Sequence, residues 1–482
     1  MNGLILIRHQ VSVMTELQPL DAGFIELKDS DQHISLGIGA VAVISGAPPT
    51  RAQFAEVLAG RLDENARLRQ RMRRAALDLT APVWEEDPNF DLAHHIRWTA
   101  LPEPADESAL FEFVATELEE RLDRDHPLWQ CVIVERLSDD RWALLVKAHH
   151  SLVDGVSGVT LFASLCDRDG EVPDLALVPE PAASSPSSLF GLVAGTVRWA
   201  VDAPRAVTHM VRSLIPLAVS VVTPTAGSSL NGPIGRKRRY VVARASLAEI
   251  REIDAAFGTT VNDVVLAAVA SAYRALLLRR DEQPTHDKLR ILVPVSMRAA
   301  DAKYLLDKRV SAMLPFLPIE IADPVERLST IHRRMTKHKS RGETQAEKSL
   351  IAMASRLPFA SIAWTLRLVS RLPQRGVTAV ATNIPGPRHP LTVHGRKVLD
   401  LLPAVPIAMR LRTGIAILSY GDELNFGITG DYDTTPDIDI LADEIQHGIG
   451  ELLSAARSRP TPPPELTAAP EPTAARSRSR KR

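Results

Sequence analysis

Two adjacent histidines, His149 and His150, followed by Ser151, Leu152, Val153, Asp154 and Gly155, are the residues of this chain best suited to chemistry. An imidazole titrates near neutrality. It can take a proton from a hydroxyl as the oxygen attacks a carbonyl, and then return it to a leaving group. The pair closes an apolar run, residues 142–148, that reads as a strand. Side chains alternate between the faces of a strand, so the two rings point apart and do not serve one metal or one substrate together. One histidine acts and the other packs, and the sequence alone does not say which. Asp154 falls where the chain must turn, and Gly155 supplies the backbone freedom that a tight turn beside a reactive group demands. No third ligand stands at a recognisable spacing, so no metal is expected there.

The frame that positions these residues is large. A chain of 482 residues exceeds one ordinary core and predicts two domains, and 45% hydrophobic residues are ample to fill them. A formal net charge of -1 gives no general attraction to nucleic acid, and no nucleic-acid partner is expected. Two cysteines, Cys131 and Cys166, make no disulfide framework and agree with a reducing compartment; Cys131 alternates with Trp129 and Ile133 as a small buried hydrophobe.

Residues 1–13 read as an extension without signal-peptide character, with either Met1 or Met14 as the start. Residues 14–180 form a first α/β domain, with strands at 38–44 and 129–134 and a helix at 108–122. A proline- and serine-rich linker with helices covers 181–233, and a second α/β domain covers 234–458. In that second domain helices are expected from Leu247 and over 261–280, with strands over 289–295 and 310–319. Asp323-Pro324 is a helix start, because aspartate accepts free amide hydrogens and proline fits the first turn. A hairpin about Gly421-Asp422 joins 414–420 to 424–429, and a helix over 438–457 closes the fold. The proline-rich, basic tail 459–482 cannot bury a core and reads as disordered. No run reaches the roughly twenty apolar residues of a membrane span. The nearest, 189–222, is broken by Arg198, Asp202, Arg205, His209 and Arg212.

The motif His-His-x-x-x-Asp-Gly resembles that of the CoA-dependent acyltransferase superfamily. Four further blocks resemble those of the bacterial wax ester synthase/diacylglycerol acyltransferase family: Asp125-His-Pro127-Leu128-Trp129, Asn262-Asp263-Val-Val-Leu266, Val293-Pro294-Val295-Ser296-Met297-Arg298, and Thr382-Asn383-Ile384-Pro385-Gly386-Pro387. The likeness runs from about Leu17 to about Leu453. It implies two chloramphenicol-acetyltransferase-like α/β domains, each with a mixed sheet, joined by a helical crossover and with the active site at their interface.

It also implies transfer of a long acyl chain from acyl-CoA, a substrate and not a cofactor, to diacylglycerol and to long-chain alcohols. In the superfamily the second histidine of the motif faces the reaction channel, which makes His150 the general base and His149 the packing residue. Asp154 then fixes the loop, with Arg298 as its partner by family analogy. Asn262 and Asp263 lie near the channel in that family, while helix capping by Thr259, Thr260 or Asn262 explains the block equally well. Pro127, Leu128 and Trp129 pack the strand and shape a lipid-facing wall; Asn383, Pro385 and Gly386 belong to a rigid loop at the domain interface or the acyl-CoA site. Relatives carry Gly-Asn where this chain has Asp307-Lys308, which bears on substrate range and not on the base.

Residues 351–375 mix Trp364, Leu366 and Leu368 with Arg356, Arg367, Arg371 and Arg375, a composition suited to a lipid interface or to an amphipathic core helix. The expectation is a cytoplasmic enzyme held peripherally on a membrane or lipid droplet. Two other readings stay open: an acyltransferase of the same fold acting on a polyketide or other secondary lipid, and a catalytically silent lipid-binding paralogue.

Overall fold

A computed structural model describes residues 15–16, 35, 37–74, 82–152, 161–163, 165–167, 225–296, 310–340, 376–387 and 389–459. In its N-terminal half the strands are β1 (Thr15–Glu16), β2 (Gly37–Ser45), β3 (Gln70–Arg73), β4 (Val83–Glu86), β5 (Ile96–Thr99), β6 (Trp129–Leu137) and β7 (Arg141–His149). The helices there are α1 (Arg51–Glu64), α2 (Leu92–His95) and α3 (Glu107–Glu119). The C-terminal half has β8 (Arg238–Ser246), β9 (Ile291–Ser296), β10 (Val310–Met313), β11 (Ala379–Ile384), β12 (Thr392–Val393), β13 (Arg396–Ala404), β14 (Thr413–Tyr420) and β15 (Glu423–Asp431). Its helices are α4 (Leu247–Phe257), α5 (Val261–Arg279), α6 (Pro324–Ser340) and α7 (Asp439–Arg457).

Two six-stranded mixed sheets organise these elements. The first has the order β12-β13-β2-β7-β6-β5, the second β10-β9-β11-β14-β15-β8, and β1-β4-β3 form a small third sheet. Strands β6 and β7 alternate as a sheet buried on both faces must. Trp142, Leu144, Val146 and Ala148 enter one core with α1, while Ala143 and Leu145 enter another beneath α3.

Local chemistry sets the helix ends. The Asp106 carboxylate accepts the Ala109 amide at 2.9 Å to open α3, and Asp323 accepts the Glu326 amide at 2.7 Å to open α6, with Pro324 in the first turn as expected. Among the described residues one helix, α5, is long and apolar enough to cross a bilayer, contrary to the expectation that no run reaches that length. It is the central helix of the C-terminal core, packed with α7 against β14 and β15. The expected strand 310–319 is shorter: the ladder stops at Met313, and Phe316 keeps only an isolated bridge to Arg290. Pro315 and Pro318 lack the amide hydrogens that would continue it.

Strand β13 reaches across the expected division between 14–180 and 234–458. It pairs antiparallel with β2, from Val398 opposite Ile44 to Ala404 opposite Gly39, and so completes the N-terminal sheet with chain from the C-terminal half. Its face also lies across the second sheet. The Tyr240 hydroxyl donates to Pro403 O at 2.8 Å, Asn425 Nδ2 donates to Leu401 O at 3.0 Å, and Arg244 Nε donates to Asp400 Oδ2 at 2.9 Å. A side chain on Gly427 would collide with the Pro403 carbonyl, so the two layers meet backbone against backbone. Leu418 and Tyr420 of β14 reach into the N-terminal core, while Ile415 and Ile417 on its opposite face belong to the C-terminal core.

Candidate active site

His149 ends β7, one of the two middle strands of the N-terminal sheet, opposite Gly37 of β2, and His150 follows it into the turn. His149 is buried. Its amide donates to Leu128 O at 2.9 Å, which joins it to the Pro127-Leu128-Trp129 block at the start of β6. Its ring Nδ1 accepts the Ser151 amide at 3.2 Å and lies 2.8 Å from Ser151 Oγ. A backbone N–H only donates, so Nδ1 is the acceptor and the ring proton resides on Nε2. By strand alternation His149 continues the face of Ala143, Leu145 and Lys147, under α3. His150 is half-buried and begins the turn that Ser151 and Leu152 continue. Sequence alternation sets the two rings on opposite faces without choosing between them, and the hydrogen bonding shows that the turn grips His149.

Neighbouring groups make the strand end rigid. Leu128 and Trp129 are buried in the core, and Trp129 Nε1 donates to Leu68 O at 2.7 Å. His95 stacks on Trp129 with ring centres 4.3 Å apart, and its Nδ1 lies 2.9 Å from Trp129 O. Burial holds the His95 pKa below its ordinary value, against the opposing pull of that backbone carbonyl. Cys131 and Cys166 are buried thiols pushed up to about 12 by burial, which leaves them without thiolate reactivity near neutral pH.

A second group gathers at the N-terminus of α5. Thr260 donates its amide and hydroxyl to Asp263 Oδ2 at 3.0 and 2.8 Å, and the Asp263 amide returns to Thr260 Oγ1 at 3.3 Å, a reciprocal capping box. Capping therefore accounts for Asp263, with Thr260 rather than Asn262 as the cap residue. The same Asp263 oxygen lies 2.8 Å from His332 Nδ1 on α6, a partner that no local sequence signal marks because it arrives from another helix. Asn262 instead points to β11: Asn383 Nδ2 donates to its Oδ1 at 3.5 Å, bringing together two blocks far apart in sequence.

After β11 the Pro385-Gly386-Pro387 turn lies on β14. The Gly386 amide donates to Ser419 Oγ at 3.0 Å, and a Cβ there would collide with the Ser419 carbonyl. Tyr420 then accepts the Leu391 amide at 2.9 Å and donates to Val398 O at 3.0 Å, so this loop leads directly onto β13. Asp154, Gly155 and Arg298 lie outside the described residues, as do the linker 181–224, residues 341–375 and the tail beyond Arg459.

Comparison with known proteins follows the same map. The wax ester synthase/diacylglycerol acyltransferase catalytic domain matches residues 17–265, and the C-terminal domain of that family matches residues 308–453. The chain is 43% identical over 462 residues to the Mycobacterium tuberculosis protein named "Probable diacyglycerol O-acyltransferase tgs1", covering 92% of this chain and 97% of that protein. The solved wax ester synthase/diacylglycerol acyltransferase from Marinobacter aquaeolei VT8 is 28% identical, with a TM-score of 0.66 over 92% of this chain and 100% of that one. At the level of fold alone, the trichothecene 15-O-acetyltransferase of Fusarium sporotrichioides matches with a TM-score of 0.60 at 12% identity, over 92% of this chain and 95% of its own. The fold expected from the sequence motifs stands, and the chain belongs to the wax ester synthase/diacylglycerol acyltransferase family.

Proposed function

We propose that this protein is an acyl-CoA-dependent O-acyltransferase that forms triacylglycerol from diacylglycerol, accepts long-chain alcohols as a second class, and uses His150 as general base. The observation that carries the assignment of the base is the unequal fate of the two histidines. His149 is buried and its Nδ1 takes the Ser151 amide, whereas His150 is half-buried on the turn at the strand end. The family relatives support the reaction class, since the Mycobacterium tuberculosis and Marinobacter aquaeolei proteins are named for acyl transfer to diacylglycerol and for wax ester synthesis.

In this reading His150 takes the proton of the acceptor hydroxyl as its oxygen attacks the thioester carbonyl. The tetrahedral oxyanion then collapses with departure of the CoA thiolate, to which the imidazolium returns the proton. No acyl-enzyme and no cofactor are needed. Asp154 and Arg298 hold the loop around the base, and Asn262 with Asn383 line the approach from the C-terminal half. Pro127, Leu128 and Trp129 back the base strand, and Asn383, Pro385 and Gly386 support the loop near acyl-CoA.

The decisive experiment supplies labelled palmitoyl-CoA with competing diacylglycerol, hexadecanol and hydroxylated secondary lipids, and identifies the product. Triacylglycerol with some wax ester is expected; acylation of another lipid alone transfers the chain to a different substrate class. His150→Ala should retain its circular dichroism and lose roughly 10²–10⁴-fold in turnover. Unchanged turnover removes His150 from the role of base. A cytoplasmic enzyme on a lipid surface completes the reading, with residues 351–375 as the docking segment. Co-sedimentation with anionic, diacylglycerol-containing vesicles is expected, and equal recovery in the soluble fraction with and without vesicles counts against it.

A further inference from the structure

His94, Asp123 and His126 form a cluster outside the proposed reaction site, with one ligand atom from each lying within 4.8 Å of the others. They come from separate elements, the end of α2 and the turn before β6, so no spacing motif announces them. The rings of His94 and His126 have centres 3.9 Å apart at a 35° tilt. His126 Nε2 lies 3.9 Å from Asp123 Oδ2, while Asp123 Oδ1 is already engaged by the Asp125 amide at 3.0 Å. The turn thus consumes one carboxylate oxygen and presents the other to the imidazole.

The second face of His126 carries an independent observation. Its Nδ1 lies 3.4 Å from Asp87 Oδ2, on a carboxylate only 1% exposed. Asp87 Oδ1 accepts the Asn89 amide at 3.0 Å, but Asp87 Oδ2 has no hydrogen-bond donor among the described residues. A buried carboxylate behind one imidazole nitrogen is the arrangement that fixes a metal-bound histidine: the nitrogen facing the carboxylate carries the proton, and the lone pair of the other faces outward. A cation on Nε2 would strengthen that proton as a donor to Asp87 and set positive charge beside a desolvated negative one.

We propose that His94, Asp123 Oδ2 and His126 Nε2 bind a divalent transition-metal ion of the zinc class, with Asp87 as the outer partner of His126 and solvent in the fourth position. Two imidazoles and one carboxylate suit such an ion, whereas an oxygen-only set would be required for calcium or magnesium. Bonds of about 2.0–2.1 Å in a tetrahedron place donors roughly 3.3 Å apart. His94 and Asp123, both exposed, reorient to close the remaining distance, with His94 swinging out of its face-to-face contact with His126 so that the in-plane lone pairs of the two rings converge on the ion. This departs from the expectation of no metal in the chain and does not depend on the acyl-transfer reading. The ion would staple α2 to the turn that leads into Pro127-Leu128-Trp129, and thereby to the Leu128 carbonyl that receives the His149 amide.

The test uses the full chain stripped with chelator and titrated with Zn²⁺ by calorimetry, and with Co²⁺ by its visible absorption. One saturable equivalent with a tetrahedral cobalt spectrum is expected, together with a rise in melting temperature on metal addition. His94→Gln, an exposed change that leaves the core alone, should abolish both signals, as should Asp123→Asn. Asp87→Asn should keep the stoichiometry and weaken affinity about 10–100-fold. Absence of saturable binding, or binding that survives His94→Gln, overturns the site. Undiminished affinity in Asp87→Asn overturns the outer-partner role.

Discussion

Removing the ring of His149 and removing that of His150 should have different consequences, because His149 is buried at the strand end and His150 is half-buried on the turn. His149→Ala deletes a buried ring whose Nδ1 accepts the Ser151 amide, so it should lower the melting temperature as well as activity. His150→Ala should lower activity with little change in melting. Strand alternation in the sequence already forced the two apart; what it could not supply was the Ser151 contact, since that depends on how the turn closes.

Two positions before His149, Lys147 offers a titration that reports on the same strand. Its ammonium donates to the backbone carbonyls of Glu117 at 2.8 Å and Glu120 at 3.3 Å, and lies 3.6 Å from the Glu117 carboxylate. Burial nevertheless outweighs the attraction of Glu120 and, with Arg97 opposing the charge, lowers its pKa from 10.5 to about 8. The folded chain therefore releases this proton near pH 8 while the unfolded chain keeps it to about 10.5, and stability rises with pH between those values. Urea unfolding of the wild type and of Lys147→Met at pH 7.5, 9 and 10 should show the difference moving in favour of the wild type as pH rises. A flat or falling difference would mean that the ion pair with Glu117 governs Lys147 instead.

At the scale of elements, β13 carries the greatest structural burden, since it is a strand of one sheet and a packing layer on the other. Gly427 is the point where that layer is thinnest. In Gly427→Ala the new methyl meets the Pro403 carbonyl, a backbone atom held by the β2 pairing and by the Tyr240 hydroxyl, so neither side yields easily. A loss of upward of about 2 kcal/mol is expected from thermal or urea unfolding. Gly450→Ala is the matched control of opposite sign. It lies exposed within α7 with open space at its Cβ, and should gain about 0.5–1 kcal/mol from reduced backbone freedom. A Gly427→Ala chain as stable as the wild type would show that the two layers are less tightly apposed.

The elements that sequence periodicity located well are those whose signal is local. The alternation of β6 and β7, the Thr260 region opening α5, the Asp323-Pro324 start and the Gly421-Asp422 hairpin all stand. What periodicity missed is non-local: β13 has a strand-like composition, but nothing in it names β2 as its partner. Likewise His332 sits on α6 among basic residues, and only packing brings it to Asp263. The candidate site divides in the same way, since the histidine motif is contiguous while the meeting of Asn262 with Asn383 exists only in the folded chain.

For the whole molecule, the strand exchange predicts that the two halves do not fold apart at the linker. Residues 14–180 look like a domain by length, with strands, a helix and the histidine motif, yet their sheet lacks β12 and β13. Without those strands the nine-residue β2 becomes an unpaired edge. Both core faces also lose cover, because Val398 and Leu401 pack on one and Leu402 and Ala404 on the other. Each large buried side chain is worth roughly 1.5–3 kcal/mol, so losing several removes a large share of the roughly 5–15 kcal/mol that holds a domain folded. Residues 1–180 expressed alone should therefore aggregate or elute as an expanded chain, as an exposed strand edge over an open core favours. Co-expression with residues 181–482, which carry β12 and β13, should return a soluble complex in which the two pieces co-elute on size exclusion. A 1–180 fragment that is monomeric and melts cooperatively by itself would show that β13 is dispensable to the first sheet, and would restore the linker as a true domain boundary.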